Sequence, residues 1–501
     1  MIHQASRWLI ILVLILTLVV ISNSCATNGQ QKLTRDLTPS RAEVDDFIAK
    51  VSSTSPEVSA DLLIRIAQSP LISDKKRKIA LLEEAYHRGS DVQKKLRMKR
   101  WTGPVDTASG RLSAAYDLEL DELSIKTRAV RTMSTLDAAR SRELFVQIPK
   151  FKLPALSCAD DLGYELSSFY KTLKEVQQKS FTPKEISEGN GLRFIQPYIA
   201  EVESPAQVAP IMDLIVDSNL TTSELNVLMS TLVSALKGVQ DDPKSFALSL
   251  TSGGLANSLQ NLIKKSRDND VASGPLLNAF RAYFLRELSV QCPDMRVGDA
   301  QKNPLQVEFS RVNKWFVSSI SEDELKARIG ERTSETQFWA SQESRSFLMR
   351  VKRLRFGTGQ TALTEEERNN DDWQRELRQL LMDLGQWTGS GAETESEVFH
   401  EKCNLYDALY SLSPNSALRT EVLIAFASYL RAASMQESSR IEWLLHGHNL
   451  LNRTRSLGPE RLKIINVFNT STTQALQLYS QFDELISANP QQYVIGPTAN
   501  R

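Results

Sequence analysis

Apolar residues along this chain return at intervals of three and four. Leu162, Leu166, Phe169, Leu173 and Val176 follow that rhythm, and so do Trp373, Leu377, Leu380, Leu384 and Trp387. Leu112, Tyr116, Leu120, Leu123 and Val130 repeat it with one gap. The longest stripe is Phe468, Thr472, Ala475, Tyr479, Phe482 and Ile486. Residues spaced this way share one face of a helix, and that face must be buried against a neighbour. No stretch alternates apolar and polar residues for long. Gln306–Phe309 and Tyr493–Ile495 are the two weak strand candidates.

Helix-start signals agree with the stripes. Ser40-x-x-Glu43, Thr221-x-x-Glu224, Ser321-x-x-Glu324 and Thr364-x-x-Glu367 have the spacing of capping boxes. Ser55-Pro56 and Thr182-Pro183 place a cap before a proline at the first helical position. The pattern predicts an all-α protein of roughly 20 helices. The helices are expected as paired antiparallel amphipathic elements in an array of solenoid type. Five polar or Gly/Pro-rich stretches read as linkers: Trp101–Gly110, Pro149–Ser157, Gln291–Pro304, Gly357–Thr361 and Thr388–Ser396. Gln291–Pro304 is the best boundary. It divides a helical array over 40–290 from a second helical domain over 305–489, with a loose tail over 490–501.

Residues 56–68 and 74–89, joined through Ser69-Pro70, form a helix pair. The segment Ile79 to Gly89, IALLEEAYHRG, resembles the second helix of a tetratricopeptide repeat. The whole chain resembles exported helical proteins of bacteria that have no assigned activity. That resemblance rests on the N-terminal signal, on Leu62 to Tyr86, and on Glu122 to Met133 followed by Leu156-Ser157-Cys158. It implies export and a helical fold, and no reaction.

The N-terminus carries the clearest targeting information. A polar start with one cation, Arg7, precedes the apolar run Trp8 to Ile21, broken only by Thr17. Small residues follow, from Ser22 to Thr27. This is the order of a secretory signal, with cleavage expected after Ala26 and a tether over 27–39. Ser24-Cys25 also resembles the lipid-attachment site of a bacterial lipoprotein signal, which makes Cys25 the candidate lipidation residue. Ser22 departs from that pattern, which expects an apolar residue there. Simple secretion, lipid attachment at Cys25 and an uncleaved anchor remain three readings. Each places the bulk of the chain outside the cytoplasm, in the periplasm or outer envelope, with membrane contact through the N-terminus in two of them.

Charge narrows the partners. The chain holds 60 Lys+Arg against 60 Asp+Glu. Ten basic residues lie between Asp74 and Arg100, against four acids. Nucleic-acid binding draws its affinity from clustered basic surface, and a solvated helix face explains this cluster more simply. No nucleic-acid partner is expected. Low glycine and proline content, 21 and 18 residues, argues against a turn-rich β protein. The pairing of Cys158, Cys292 and Cys403 is open, since no CxxC spacing occurs.

Candidate chemistry is sparse. His400-Glu401-Lys402-Cys403-Asn404 begins like a zinc-protease helix, but position 404 holds Asn where the second ligand belongs. A composite site from His400, Cys403, His446 and His448 is conceivable, with His448 on an apolar stripe and His446 expected to face outward. Ser73-x-x-Lys76 has the spacing of a serine acylase, without its companion motifs, and Ser73 reads better as a helix cap. Of the acidic doublets Asp45-Asp46, Asp160-Asp161, Asp241-Asp242 and Asp371-Asp372, three lie near expected helix starts, and that structural role is the reading for all four. No phosphate loop, dinucleotide fingerprint or nucleophile elbow occurs. No catalytic, cofactor or metal residue is therefore assigned. The sequence favours a scaffold that is exported or lipid-anchored and binds protein partners. The alternative is an all-α envelope enzyme acting on polysaccharide or peptidoglycan through a carboxylate pair.

Overall fold

The computed structural model of the protein describes residues 39–100, 113, 115–150, 152–156, 162–288, 304–321, 342–389, 391, 394–433, 440–457, 460–467 and 474–487. Within them the fold is all-α: 22 α-helices and one two-stranded ribbon. In order, these are α1 Arg41–Ser52, α2 Pro56–Gln68, α3 Lys75–Gly89, β1 Met98–Arg100, α4 Glu122–Leu136, α5 Ala138–Val146, β2 Leu162–Tyr164 and α6 Ser167–Lys179. Then come α7 Pro183–Ser187, α8 Asn190–Ala200, α9 Pro205–Asp217, α10 Thr222–Ala235, α11 Pro243–Thr251, α12 Leu255–Asp268, α13 Gly274–Glu287 and α14 Pro304–Asn313. The remainder are α15 Gln342–Phe356, α16 Glu365–Arg368, α17 Asp371–Gln386, α18 Glu395–Leu412, α19 Ser416–Ala432, α20 Arg440–Thr454, α21 Glu460–Val467 and α22 Gln474–Ser487.

Capping chemistry sets many of these starts. Ser40, Thr182, Thr221 and Thr364 each close a reciprocal capping box with the glutamate three residues on. Two further boxes, Ser204 with Gln207 and Thr394 with Glu397, start α9 and α18. Each box satisfies two amide groups that the first helical turn leaves without partners. The Ser321 box and the doublet Asp160-Asp161 lie outside or across the edge of the described residues. Ser73 is not a cap: Asp74 accepts from the Lys76 amide at 3.0 Å and starts α3. Asp45 and Asp46 sit past the first turn of α1, where Asp46 pairs with Lys50 at 2.6 Å and Asp45 with Arg77.

Helix C-termini are often closed by a cation from another helix. Lys265 of α12 donates to the carbonyls of Ile215, Val216 and Ser218 at the end of α9, at 3.1, 2.6 and 2.6 Å. Lys402 of α18 donates to Trp387 and Gly385 at the end of α17, at 2.5 and 3.3 Å. The last carbonyls of a helix lack amide partners and carry partial negative charge, which draws a cation there, against the burial that lowers the pKa of both lysines and brings Lys402 down to about 8. These contacts fix the packing of two helix pairs as well as their ends.

The expected strands are corrected by the structure. Gln306–Phe309 is helical, inside α14. The observed ribbon pairs Met98 with Tyr164, Lys99 with Gly163 and Arg100 with Leu162, antiparallel. Leu162 therefore belongs to a strand, and its stripe begins in earnest at Leu166. The 112–130 stripe is interrupted by a turn in which Glu119 adopts φ 57, after which Asp121 caps α4. Phe468, Thr472 and the tail Tyr493–Ile495 lie outside the described residues.

One connected apolar core runs from Val44 to Phe482. α6 packs against α4, α5, α8 and α9, so contacts reach beyond sequence neighbours. α14 follows the Gln291–Pro304 stretch yet packs on α11 and α12, with Phe309 6.5 Å and Phe316 5.7 Å from Phe284 between ring centres. Helices α15 to α21 pack among themselves. α22 packs on α20 and brings Phe482 against Phe47 of α1, ring centres 6.4 Å apart. The two ends of the described chain thus meet.

Candidate functional site

A large cavity lies where α5, α6, α8 and α10 converge, with a volume of about 840 Å³. Its wall is aromatic: Phe169 and Tyr170 from α6, and Phe194, Pro197 and Tyr198 from α8. The stripe on α6 that faces the core is the same stripe that supplies Phe169. Phe145 of α5 lies behind, with its ring 5.0 Å from Phe169 and 5.7 Å from Tyr198. Tyr198 stands edge-on to Phe169 at 5.9 Å and to Phe194 at 6.1 Å. Edge-to-face contacts of this kind add roughly 0.5–1.5 kcal/mol per pair beyond burial, and they hold the wall rigid. Tyr170 is fully buried, and its hydroxyl accepts from the Gln207 amide at 3.1 Å. Burial pushes the Tyr198 hydroxyl up to about 12. The opposite wall comes from α10, where Thr231 and Ser234 place hydroxyls at the rim.

Pro197 sits inside α8. It has no amide to donate, so the helix ladder loses a bond on the face that lines the cavity. Lys150 and Glu201 pair across the mouth at 2.5 Å, both partly in solvent. Arg193 and Glu203 complete the charged rim.

A second cavity of about 440 Å³ adjoins the first. Ile148, Pro149 and Lys150 line both. This strap is pinned further along. The Leu153 carbonyl accepts from Gln240 at 2.6 Å, and the Leu156 amide donates to Asp242 at 3.1 Å. Asp242 also caps α11 by accepting from the Ser245 amide at 2.9 Å. The doublet Asp241-Asp242 therefore does start a helix, and one member ties the strap down as well.

Of the histidines singled out from the sequence, the structure brings His400 and His446 together and sets His448 apart. His400 and His446 are both buried, with ring centres 5.8 Å apart, among Phe399 and Phe426. His446 faces inward, contrary to the expectation from its position beside the stripe. His448 lies on the other side of α20, 5.7 Å from the Tyr479 ring, and burial lowers its pKa. Cys403 is fully buried, while Cys25, Cys158 and Cys292 lie outside the described residues. Among the described residues no group of three or more His, Cys, Asp or Glu is arranged to hold a metal ion.

A buried charge that sequence reading missed is Asp61 of α2. Arg65 donates to it at 2.8 Å, Arg128 of α4 at 2.5 Å, and the Tyr479 hydroxyl of α22 at 2.8 Å. Burial alone would raise this carboxyl. The two guanidinium groups outweigh burial and hold it well below the usual carboxylate range. The only sequence signal was an acid at the centre of an apolar helix, IRIA after DLL. The arrangement leaves Asp61 with its oxygens already engaged, which suits a packing role.

Part of the basic cluster is paired in place. Arg77 pairs with Asp45, Arg88 with Glu84 at 2.8 Å, and Arg97 with Asp117 at 2.8 Å and Glu119 at 3.1 Å. Acids pushed upward by burial lie elsewhere: Asp121 to about 6 and Glu287 to about 7, and neither lines either cavity.

No protein-family model matches the chain, and neither curated proteins nor solved structures give a match.

Proposed function

We propose that this protein is an exported helical scaffold of the cell envelope that binds a protein partner in the groove between α5, α6, α8 and α10. The aromatic cavity of about 840 Å³ carries this reading. A rigid apolar wall with a few hydroxyls and mixed charges at the rim is the composition of a recognition surface. Export rests on the Trp8–Ile21 run and the small residues after it. No helix among the described residues is long and apolar enough to cross a membrane.

The enzyme alternative asks for carboxylates that converge in a cleft with separated pKa values. The acids at the larger cavity, Glu201 and Glu203, sit exposed at its rim, and the acids shifted upward are remote from it. This distribution favours binding over catalysis.

Ser234→Trp tests the reading. Ser234 is exposed on the α10 wall, so an indole there fills the cavity without entering the core. Partner complexes recovered from the native envelope should be lost with this variant and kept with an exposed substitution on α17, Met382→Gln. Retention of the same complexes by Ser234→Trp would overturn the groove.

A further inference from the structure

The two adjoining cavities differ in charge. The aromatic cavity is balanced, with Lys150 and Arg193 against Glu201 and Glu203. The smaller one gathers Lys95, Lys126, Lys150 and Lys152 against a single acid, Glu122. Its remaining surface is apolar, from Leu96, Leu123, Ile148 and Pro149. We propose, resting on the partner-groove reading above, that this smaller cavity receives an Asp or Glu side chain of the partner peptide, while neighbouring apolar side chains of that peptide fill the aromatic cavity.

The internal pairings leave room for such a guest. Glu122 is shared by Lys126 at 2.6 Å and Lys95 at 3.1 Å, and Lys126 is almost wholly buried beneath it. Lys126 also lies 5.3 Å from the Tyr86 ring centre, which holds it in place. Lys150 spends its charge on Glu201 across exposed space, and an exposed pair of this sort contributes about 0–1 kcal/mol. It can exchange partners at little penalty. Lys152 is exposed and makes no ion pair among the described residues. An incoming carboxylate meets the exposed ammonium groups of Lys150 and Lys152 beside an apolar floor from Leu96, Leu123, Ile148 and Pro149.

A peptide fits the charge pattern better than a fatty anion. A fatty anion has one charged end and a featureless tail. The aromatic cavity offers two rim acids and the hydroxyls of Thr231 and Ser234, which suit backbone amides and a mixed-charge segment. The shared strap Ile148-Pro149-Lys150 places the two subsites side by side.

The test is selection of a random displayed peptide library on the mature protein, at low salt. The expected winners combine Leu, Phe or Trp with an Asp or Glu close by in sequence. A synthetic winner should bind K150E/K152E at least about tenfold more weakly, lose binding to Ser234→Trp, and weaken in high salt. Two outcomes overturn the proposal while the groove stands: winners that need Ser234 unblocked but carry no acid, or acidic winners indifferent to K150E/K152E. If no winner is blocked by Ser234→Trp, the groove reading itself fails and takes this proposal with it. Binding of oleate, blocked by K150E/K152E, with no peptide enriched would replace the peptide by an anionic amphiphile.

Discussion

The Tyr479 hydroxyl donates to Asp61 at 2.8 Å inside the core, across 418 positions of sequence. This bond joins the last described helix to the second. It lies beside the stacked pair Phe47 and Phe482, so the closure is both polar and apolar. Tyr479→Phe keeps the ring and removes the donor. Because Asp61 retains Arg65 and Arg128, the expected loss is about 1–2 kcal/mol. Asp61→Asn leaves two guanidinium groups facing an uncharged amide, and should lose about 3–5 kcal/mol. Denaturant unfolding of both variants measures the order. Equal, negligible effects would show that the node does not hold the ends together.

Asp61 also predicts acid sensitivity. Its folded pKa lies below its unfolded value of 3.8. The ionised form is therefore the one the fold favours. Its stabilisation is complete above the unfolded pKa and is lost as pH falls through and below it. Glu287 behaves in the opposite sense. Burial raises it from 4.5 to about 7, against amide donation from Asp242 at 3.2 Å and pairing with Arg286 at 3.2 Å. Across that window the folded state keeps a proton that the unfolded state has released, so stability falls as pH rises, by a total on the order of 3 kcal/mol. Glu287→Gln should flatten the profile between pH 4.5 and about 7. An unchanged slope in that window would mean that Glu287 ionises normally.

α20 and α22 approach each other through Gly447. A Cβ built there would stand 2.5 Å from Leu476 Cδ1 and 2.6 Å from Cδ2. Gly447→Ala should therefore force the fully buried Leu476 side chain aside, at about 1–3 kcal/mol for overpacking. Leu476→Ala alone opens a cavity and should lose about 2–5 kcal/mol. The double variant should recover part of both losses. Strict additivity, measured in a double-mutant cycle, would show that the two residues do not meet.

The N-terminal segment predicts a mass. Protein recovered from its native envelope should begin at Cys25 with acyl chains if lipid is attached, at Thr27 if the chain is simply secreted, or keep Met1 if the segment stays as an uncleaved anchor. An intact chain with Met1 and no processing, found in the cytoplasm, would contradict export.

Fold class was legible because helical periodicity is a local property. Trp373, Leu377, Leu380, Leu384 and Trp387 are all buried as their spacing requires. Capping boxes were legible for the same reason. The ribbon at Met98–Arg100 and Leu162–Tyr164 was not, because three-residue strands carry no period of their own and exist only through their pairing. His446 was misread because α20 is packed on more than one side: Phe399, Phe426 and His400 cover its face while α22 covers another. The aromatic cavity was hidden in another way. Phe169, Tyr170, Phe194 and Tyr198 read as ordinary core stripes, and which aromatic borders a cavity depends on the third dimension. Asp61 was missed because two of its three partners, Arg128 and Tyr479, come from helices far along the chain, while only Arg65 shares its own helix.

The groove is tested most directly by a photoreactive residue placed at Thr231 on its α10 wall, with a control at the exposed Met382 of α17, in cells that make the protein natively. Irradiation should give one dominant protein adduct from position 231, absent from position 382 and abolished when Ser234→Trp is present. Matching adduct patterns from the two positions, or an adduct from position 231 that survives Ser234→Trp, would contradict a partner site in this cavity.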